Sequence, residues 1–306
     1  MAKVRKINVI KNIENIKVRK NSNFLWKGDV EKVLDLLPNE ELFDLVITSP
    51  PYNIGKEYEK RMEFEDYISW QKTVIKKVSS KLKTNGSICW IVGNYTTNSH
   101  IIPIDFELYP VFKELNLTLR NRIVWSYGHG HHQTKRFSGR YEVILWYTKG
   151  DNYTFNLDEV RIPSKYPAKK YYRGPKAGQI SSNPLGKNPE DVWAIPQVKS
   201  SHIEKTDHPC QFPVGLVERL ILALSNKKDI VFDPFVGSGS TGVGSVIHDR
   251  KFWGVDIKSR YINIAEKRIN DALNGKAKYR PHTKPIYDHK LSKLSLLPNE
   301  KIILGN

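Results

Sequence analysis

The sequence predicts a doubly wound α/β protein with a mostly parallel sheet. Three observations carry that expectation. Short runs of β-branched and aromatic residues recur along the chain, and amphipathic stretches of helical period separate them. One run passes through closely spaced glycines into a helix. At 306 residues the chain can house one large domain with insertions, or two smaller ones.

Taken in order, residues 1–23 are basic, Asn-rich and weakly patterned, and read as an arm. The run FDLVIT (43–48) reads as a buried strand. It is followed by FEDYISWQKTVIKKVSSKLKTNG, with Ile68, Ile75, Val78 and Leu82 at helical spacing and Gly86 as the stop. SICWIVG (87–93), NRIVWS (121–126) and YEVILWYT (141–148) are strand-like. DIVFDPF (229–235) leads through glycines into a helix, and KFWGVDI (251–257) leads into the amphipathic SRYINIAEKRINDALN. Strands alternating with helices imply a sheet covered on both faces.

From about 150 to 207 the rhythm fails. That segment is rich in Pro, Gly, Tyr and Lys, and from Arg161 to Lys205 it carries nine Lys/Arg against three acids. A long unpatterned stretch within a domain is functional or disordered. Residues 276–306 form a second basic segment, a tail.

A formal charge of +17 calls for a polyanionic partner, nucleic acid before an anionic membrane. No apolar run approaches the roughly 18 residues of a membrane span, and the basic start has no signal-peptide pattern. Cys89 and Cys210 cannot by themselves make a disulfide framework or a zinc site, which points to a reducing, cytoplasmic setting.

Two motifs carry chemistry. In TSPPYN (48–53) the prolines cannot continue a strand, so a buried run ends in a stiff polar and aromatic corner. In VFDPFVGSGSTG, Gly237, Gly239 and Gly242 form G-x-G-x-x-G between strand and helix, where the backbone turns tightly and can approach a ligand. Asp256, 17 residues after Gly239, ends the next strand, where a carboxylate can accept from ribose hydroxyls. The glycines alone fit a dinucleotide enzyme as well as one using S-adenosylmethionine. The Asp233-Pro234-Phe235 lead-in favours the second, because a carboxylate there suits an ammonium and opposes a pyrophosphate.

Together with HPCQFP (208–213), these motifs resemble the DNA amino-methyltransferases of restriction-modification systems, in the beta arrangement where the catalytic motif precedes the cofactor motif. The resemblance spans about residues 24–273 outside the variable segment. It implies a Rossmann-like methyltransferase sheet, with 24–149 as the catalytic half, 208–275 as the cofactor-binding half, and 150–207 as an inserted DNA-recognition region. It implies transfer of a methyl group from S-adenosyl-L-methionine to the exocyclic amine of a flipped base. Ser49, where many members carry Asp or Asn, goes mainly with cytosine N4; adenine N6 is the alternative. An NAD- or FAD-dependent oxidoreductase, resting on the glycines alone, is the remoter reading, and RNA is a second possible substrate.

The resemblance assigns Ser49, Pro50, Pro51 and Tyr52 to catalysis. Ser49 Oγ and the Pro50 carbonyl would grip the amine N–H groups, and the Tyr52 ring would stack on the base. Cofactor contacts fall to Asp29, Ser49, His208, Asp233, Pro234, Phe235, Gly237, Gly239, Ser240, Thr241 and Asp256. Asp29 can equally cap a helix and His208 can equally cap the 212–224 helix; Glu142 is expected in a structural salt bridge near the site. DNA contacts are expected from His129, Lys135, Arg136 and Arg140 in one loop and from Lys165, Lys169, Lys170 and Arg173 in the insert. No metal is expected, since the His129, His131 and His132 cluster has no acids or cysteines beside it. The partners implied are double-stranded DNA, a cognate restriction endonuclease and a second copy of the chain in a homodimer, with no membrane.

Overall fold

Eleven strands and six α-helices follow one another in the computed structural model, which describes residues 4–286 apart from positions 15, 58, 98, 99, 129 and 131. The first half runs β1 (Asn8–Ile10), β2 (Phe24–Lys27), α1 (Val30–Leu36), β3 (Phe43–Thr48), α2 (Phe64–Ser80), β4 (Leu82–Val92), β5 (Asn94–Thr97), β6 (His100–Pro103), α3 (Ile104–Glu114), β7 (Thr118–Ser126) and β8 (Tyr141–Thr148). The second runs β9 (Val192–Ala194), α4 (Val214–Leu224), β10 (Ile230–Asp233), α5 (Ser240–Ile247), β11 (Lys251–Asp256) and α6 (Ser259–Leu273). Nine strands form one sheet in the order β1-β2-β11-β10-β3-β4-β8-β7-β9; β5 and β6 form a separate hairpin. Only the β4–β8 and β7–β8 pairs of the large sheet are antiparallel.

The sheet is apolar on both faces because its central strands alternate between two cores. Ile230 and Phe232 of β10, with Ile88 and Trp90 of β4, pack beneath α1, α2 and α3. Val231, Cys89 and Ile91 face α4 instead, while Phe252 of β11 joins α5 and α6. This is the two-sided burial expected of parallel strands.

Strand order locates the functional edge. From β10 the chain crosses through α5 to β11 on one side; from β3 it crosses through α2 to β4 on the other. The C-terminal ends of adjacent β3 and β10 therefore diverge, leaving a crevice at the topological switch point.

Three expectations change. The helix drawn from 64 to Gly86 ends at Ser80; Leu82 already pairs with Phe43, and Gly86 lies inside β4. Helical spacing of Ile75, Val78 and Leu82 could not reveal that the last of them belongs to a strand. The N-terminal arm is not wholly outside the domain, since Asn8–Ile10 adds an edge strand beside Phe24–Trp26. The insert also returns to the sheet: Val192–Ala194 pairs with Val124–Ser126, and Trp125 Nε1 donates to the Ile195 carbonyl at 2.8 Å. Residues 287–306 of the basic tail lie outside the described residues.

Gly239 has φ +80°, and a Cβ there would stand 2.9 Å from Ala265 Cα on α6. Gly239→Ala is expected to lower unfolding free energy by about 1–3 kcal/mol in chemical denaturation, through left-handed strain and separation of α5 from α6.

Candidate active site

The site begins where two strands end. Thr48, last in β3, donates its hydroxyl to Asp233 Oδ1, last in β10, at 2.7 Å. Both side chains are fully buried. The same Oδ1 accepts from the Phe235 amide at 3.0 Å, so one carboxyl oxygen ties TSPPY to DPF. Burial pushes Asp233 up to about 6. Oδ2 has no hydrogen-bond partner among the described residues; Thr241 stands near enough to draw the acid down slightly, without bonding geometry.

Beyond Thr48 the prolines lead the chain out of the sheet, and buried bonds fix the corner. The Pro51 carbonyl accepts from Tyr67 Oη at 2.9 Å; Tyr67 Oη accepts from Gln71 Nε2 at 3.0 Å, and Gln71 Oε1 accepts from Trp90 Nε1 at 3.2 Å. Asn53 closes the turn at φ 59°, a conformation Asn tolerates. Its amide clasps the Met62 backbone at 2.7 and 2.8 Å, while Glu59 accepts from the Asn53 and Ile54 amides at 2.8 Å. Glu59 and Met62 are thereby held against the corner.

Within the corner the side chains form a chain of acceptors. Ser49 Oγ donates to Tyr52 Oη at 2.8 Å, and Tyr52 Oη donates to Glu142 Oε2 at 2.9 Å. The Ile91 carbonyl is a longer second acceptor at 3.3 Å. Burial, then the charge of Glu142, hold the Tyr52 phenol well above its ordinary pKa, so it keeps its proton and donates. Burial pushes Glu142 up to about 7, against the bond from Tyr52. Protons thus point away from Ser49, leaving its lone pairs as acceptors facing the cleft. The expected salt bridge of Glu142 is replaced by this phenol, because Glu142, second in β8, lies directly beside the corner rather than beside a cation.

The glycine turn builds the opposite wall. Asp256 accepts from the Gly237 amide at 2.9 Å and from the Lys258 amide at 2.8 Å, and burial pushes it up to about 6. The Gly239 amide is bonded to the Val236 carbonyl at 2.9 Å. The Gly237 and Gly239 amides are thus taken, beside a carboxylate that would repel a pyrophosphate, which leaves the oxidoreductase reading without support. A Cβ on Gly237 would meet the His208 ring at 2.9 Å. That ring packs edge-on against Tyr261 with centroids 4.3 Å apart, and burial pulls it down to about 4, leaving it neutral.

These walls enclose a cleft of about 480 Å³, within the range of small-molecule sites. Ser49, Pro50, Pro51 and Tyr52 line one side. Asp29, His208, Pro234, Phe235, Gly237 and Asp256 line the other. Asp29 also caps α1, accepting from the Lys32 amide at 3.1 Å. Asp233, Gly239, Ser240 and Thr241 stand behind the wall: Gly239 packs against α6, and Ser240 Oγ donates to the Phe212 carbonyl at 2.8 Å. His208 is not the cap of α4, which is preceded by Pro213.

Sequence reasoning missed Asn53, Glu59, Trp70 and Tyr261, all at the cleft. Tyr261 was the recoverable one, since it stands in the first turn of the helix that follows Asp256. Its Oη donates to Glu57 Oε1 at 2.9 Å, bridging the cleft mouth. Outside the cleft, Lys135, Arg136, Lys165, Lys169, Lys170 and Arg173 are exposed, and Arg140 donates to the Gly128 carbonyl at 3.2 Å. His129 lies outside the described residues. Among the described residues no helix is long and apolar enough to cross a membrane.

Comparison with known proteins finds relatives along most of the chain. The family model described as DNA methylase matches residues 43–267. Type II methyltransferase M.BglII of Bacillus subtilis is 44% identical over 248 residues, covering 81% of this chain and 69% of that one. DNA adenine methyltransferase YhdJ of Escherichia coli is 36% identical over 275 residues, covering 88% and 90%. The fold is shared with the cytosine-N4-specific PvuII DNA methyltransferase, at TM-score 0.63 and 20% identity over 89% and 97% of the two chains. It is shared also with M1.HpyAVI, solved as a SAM complex, at TM-score 0.53 and 20% identity over 80% and 98%. The family match takes in both the diproline corner and the glycine turn, and the chain belongs to the DNA methylase family.

Proposed function

We propose that the protein methylates the N4 amine of a cytosine flipped out of duplex DNA, using S-adenosyl-L-methionine. The observation that carries this reading is the orientation of Ser49, whose proton is committed to Tyr52 and whose lone pairs face the cleft shared with Asp256 and Gly237.

The residues fit the donor. Asp233 Oδ2 is a buried oxygen without a partner, a negative group behind the wall where the cofactor's ammonium would lie. Asp29 and Asp256 offer carboxylates to hydroxyls, Trp70 and Phe235 offer aromatic faces, and neutral His208 adds no charge against a cation. When bound, S-adenosyl-L-methionine supplies an electrophilic methyl group on a sulfonium.

The chain's own part is to make a poor nucleophile available. An exocyclic amine delocalises its lone pair into the ring, and acceptors on its N–H groups favour the pyramidal form. Ser49 Oγ is such an acceptor. The methylated nitrogen carries a surplus proton; Ser49 accepts it while passing its own to Tyr52, and Tyr52 passes its own to Glu142. The carboxylate is therefore the terminal base.

Ser49 supports cytosine within this family, whereas the 36% identity to an adenine methyltransferase of matching length supports adenine N6 as the second reading. A restriction endonuclease of the same specificity, a homodimer and a cytoplasmic place of work belong to the same proposal.

Methylating mixed duplex DNA and analysing its nucleosides by mass spectrometry is expected to yield N4-methylcytosine; N6-methyladenine would transfer the assignment. Glu142→Gln keeps an acceptor for Tyr52 but takes no proton, and turnover is expected to fall about a hundredfold with cofactor affinity unchanged. Because the folded state raises the Glu142 pKa, its share of stability is full below the ordinary carboxylate value and is lost as pH rises to about 7. Turnover should climb over that window while the melting temperature of wild type falls relative to Glu142→Gln. Cofactor affinity, by calorimetry, is expected to weaken below about pH 6 as Asp233 and Asp256 protonate.

A further inference from the structure

The loop between β7 and β8 leaves the sheet at the functional edge. Ser126 pairs with Tyr141 at its base, and Trp125 pairs with Glu142 one rung below. The stem continues outward: the Tyr127 amide donates to the Arg140 carbonyl at 3.1 Å, and Arg140 Nη1 donates to the Gly128 carbonyl at 3.2 Å. At the tip the Gln133 amide donates to Ser138 Oγ at 3.0 Å, closing residues 133–138 into a turn. On that turn Phe137 is 100% exposed.

A phenyl ring wholly in water has no stabilising contact, and this one has no polar atom to compensate. Tyr172, 88% exposed, differs: it carries a hydroxyl, and the Arg173 guanidinium lies over its ring at 5.5 Å. Phe137 directly follows exposed Lys135 and Arg136 instead, a pairing of one apolar ring with two cations. Basic side chains meet phosphates, and an apolar ring beside them can wedge into the base stack.

We propose that Phe137 is a wedge that enters the DNA duplex where the target nucleotide has left and stacks on the exposed bases. Extruding a base leaves a gap whose neighbours have lost a stacking partner, and an aromatic side chain restores one without regard to sequence. The loop's origin beside Glu142 ties this ring to the hairpin that forms one wall of the corner receiving the flipped base. Lys135 and Arg136 hold the phosphate backbone beside the gap. The inference rests on the DNA-methylating reading above, and it assigns to Phe137 the stability of the extruded state, not the chemistry.

The test compares wild type with Phe137→Ala in single-turnover methylation of an oligonucleotide duplex containing the site mapped for wild type. Full exposure makes the substitution neutral for folding, and an unchanged melting temperature checks this. On matched duplex the variant is expected to be slower by about ten- to a hundredfold. On a duplex lacking the base opposite the target, where extrusion breaks no pair, most of that loss should vanish, and Phe137→Trp should retain the wild-type rate on both. Equal rates for wild type and Phe137→Ala on matched duplex overturn the wedge while leaving the methyltransferase reading intact. An equal loss on both duplexes overturns it too, since the ring would then serve something other than extrusion. If wild type methylates neither, the fault lies in the underlying reading.

Discussion

A single buried hydrogen bond, from Thr48 to Asp233 at 2.7 Å, sets the distance on which this site depends. Its partners lie 185 residues apart in sequence, at the ends of neighbouring strands whose onward connections diverge. Divergence opens the crevice; the bond stops it opening too far. Asp233 Oδ1 also holds the Phe235 amide, so the residue after Thr48 and the wall after Asp233 are positioned from one atom. The serine of the corner and the glycine turn are thereby registered together. Losing the hydroxyl would leave a fully buried carboxyl oxygen with one partner fewer, the costly kind of deletion.

Electrostatics follow the same division of labour. Three carboxyls at the site are pushed up by burial, Asp233 and Asp256 to about 6 and Glu142 to about 7. They sit inside a chain of net charge +17 whose cations are displayed on the β7–β8 loop and the insert. The negative interior suits a cationic donor and a proton-accepting relay, and the positive exterior suits a polyanion. Were the signs exchanged, the donor would be repelled and the polymer would find no hold. A neutral His208, pulled down to about 4, keeps the interior from acquiring a positive charge beside the donor.

How much of this could be read beforehand depended on locality. TSPPY and DPFVGSGSTG announce themselves because proline and glycine constrain the backbone within a few residues. The doubly wound class followed from alternating periodicity, and the basic partner from charge. What sequence could not show was anything settled by a distant segment. Ser49 and Glu142 are 93 positions apart by number, and their link through Tyr52 exists only after β4 and β8 pair. The packing of Gly239 was hidden for a related reason: a left-handed glycine beside a helix start does not show what it packs against, and here that is Ala265, 26 positions away. Likewise, Leu82 fits a helical period, and only its pairing with Phe43 makes it a strand residue.

The antiparallel hairpin explains why the carboxylate proposed as terminal base comes from β8. In a parallel sheet every strand brings its C-terminal end to the functional edge, so a residue at the start of a strand is carried to the far side. β8 runs against β4, with Val143 opposite Val92 and Ile144 opposite Ile91, and its first residues therefore lie at the edge where β3, β10 and β11 end. Glu142 reaches the corner by that reversal alone. Gly93, just past β4, completes the arrangement: a Cβ there would stand 3.5 Å from the Tyr52 ring and 3.8 Å from Glu142 Cγ, ordinary contact distances that a larger side chain would exceed. The reversal also obliges the β7–β8 loop to emerge at the same edge, so the strand pair that carries Glu142 presents its basic tip beside the cleft. Placing Glu142 and the basic loop on one hairpin is a consequence of strand direction, and it requires no further device.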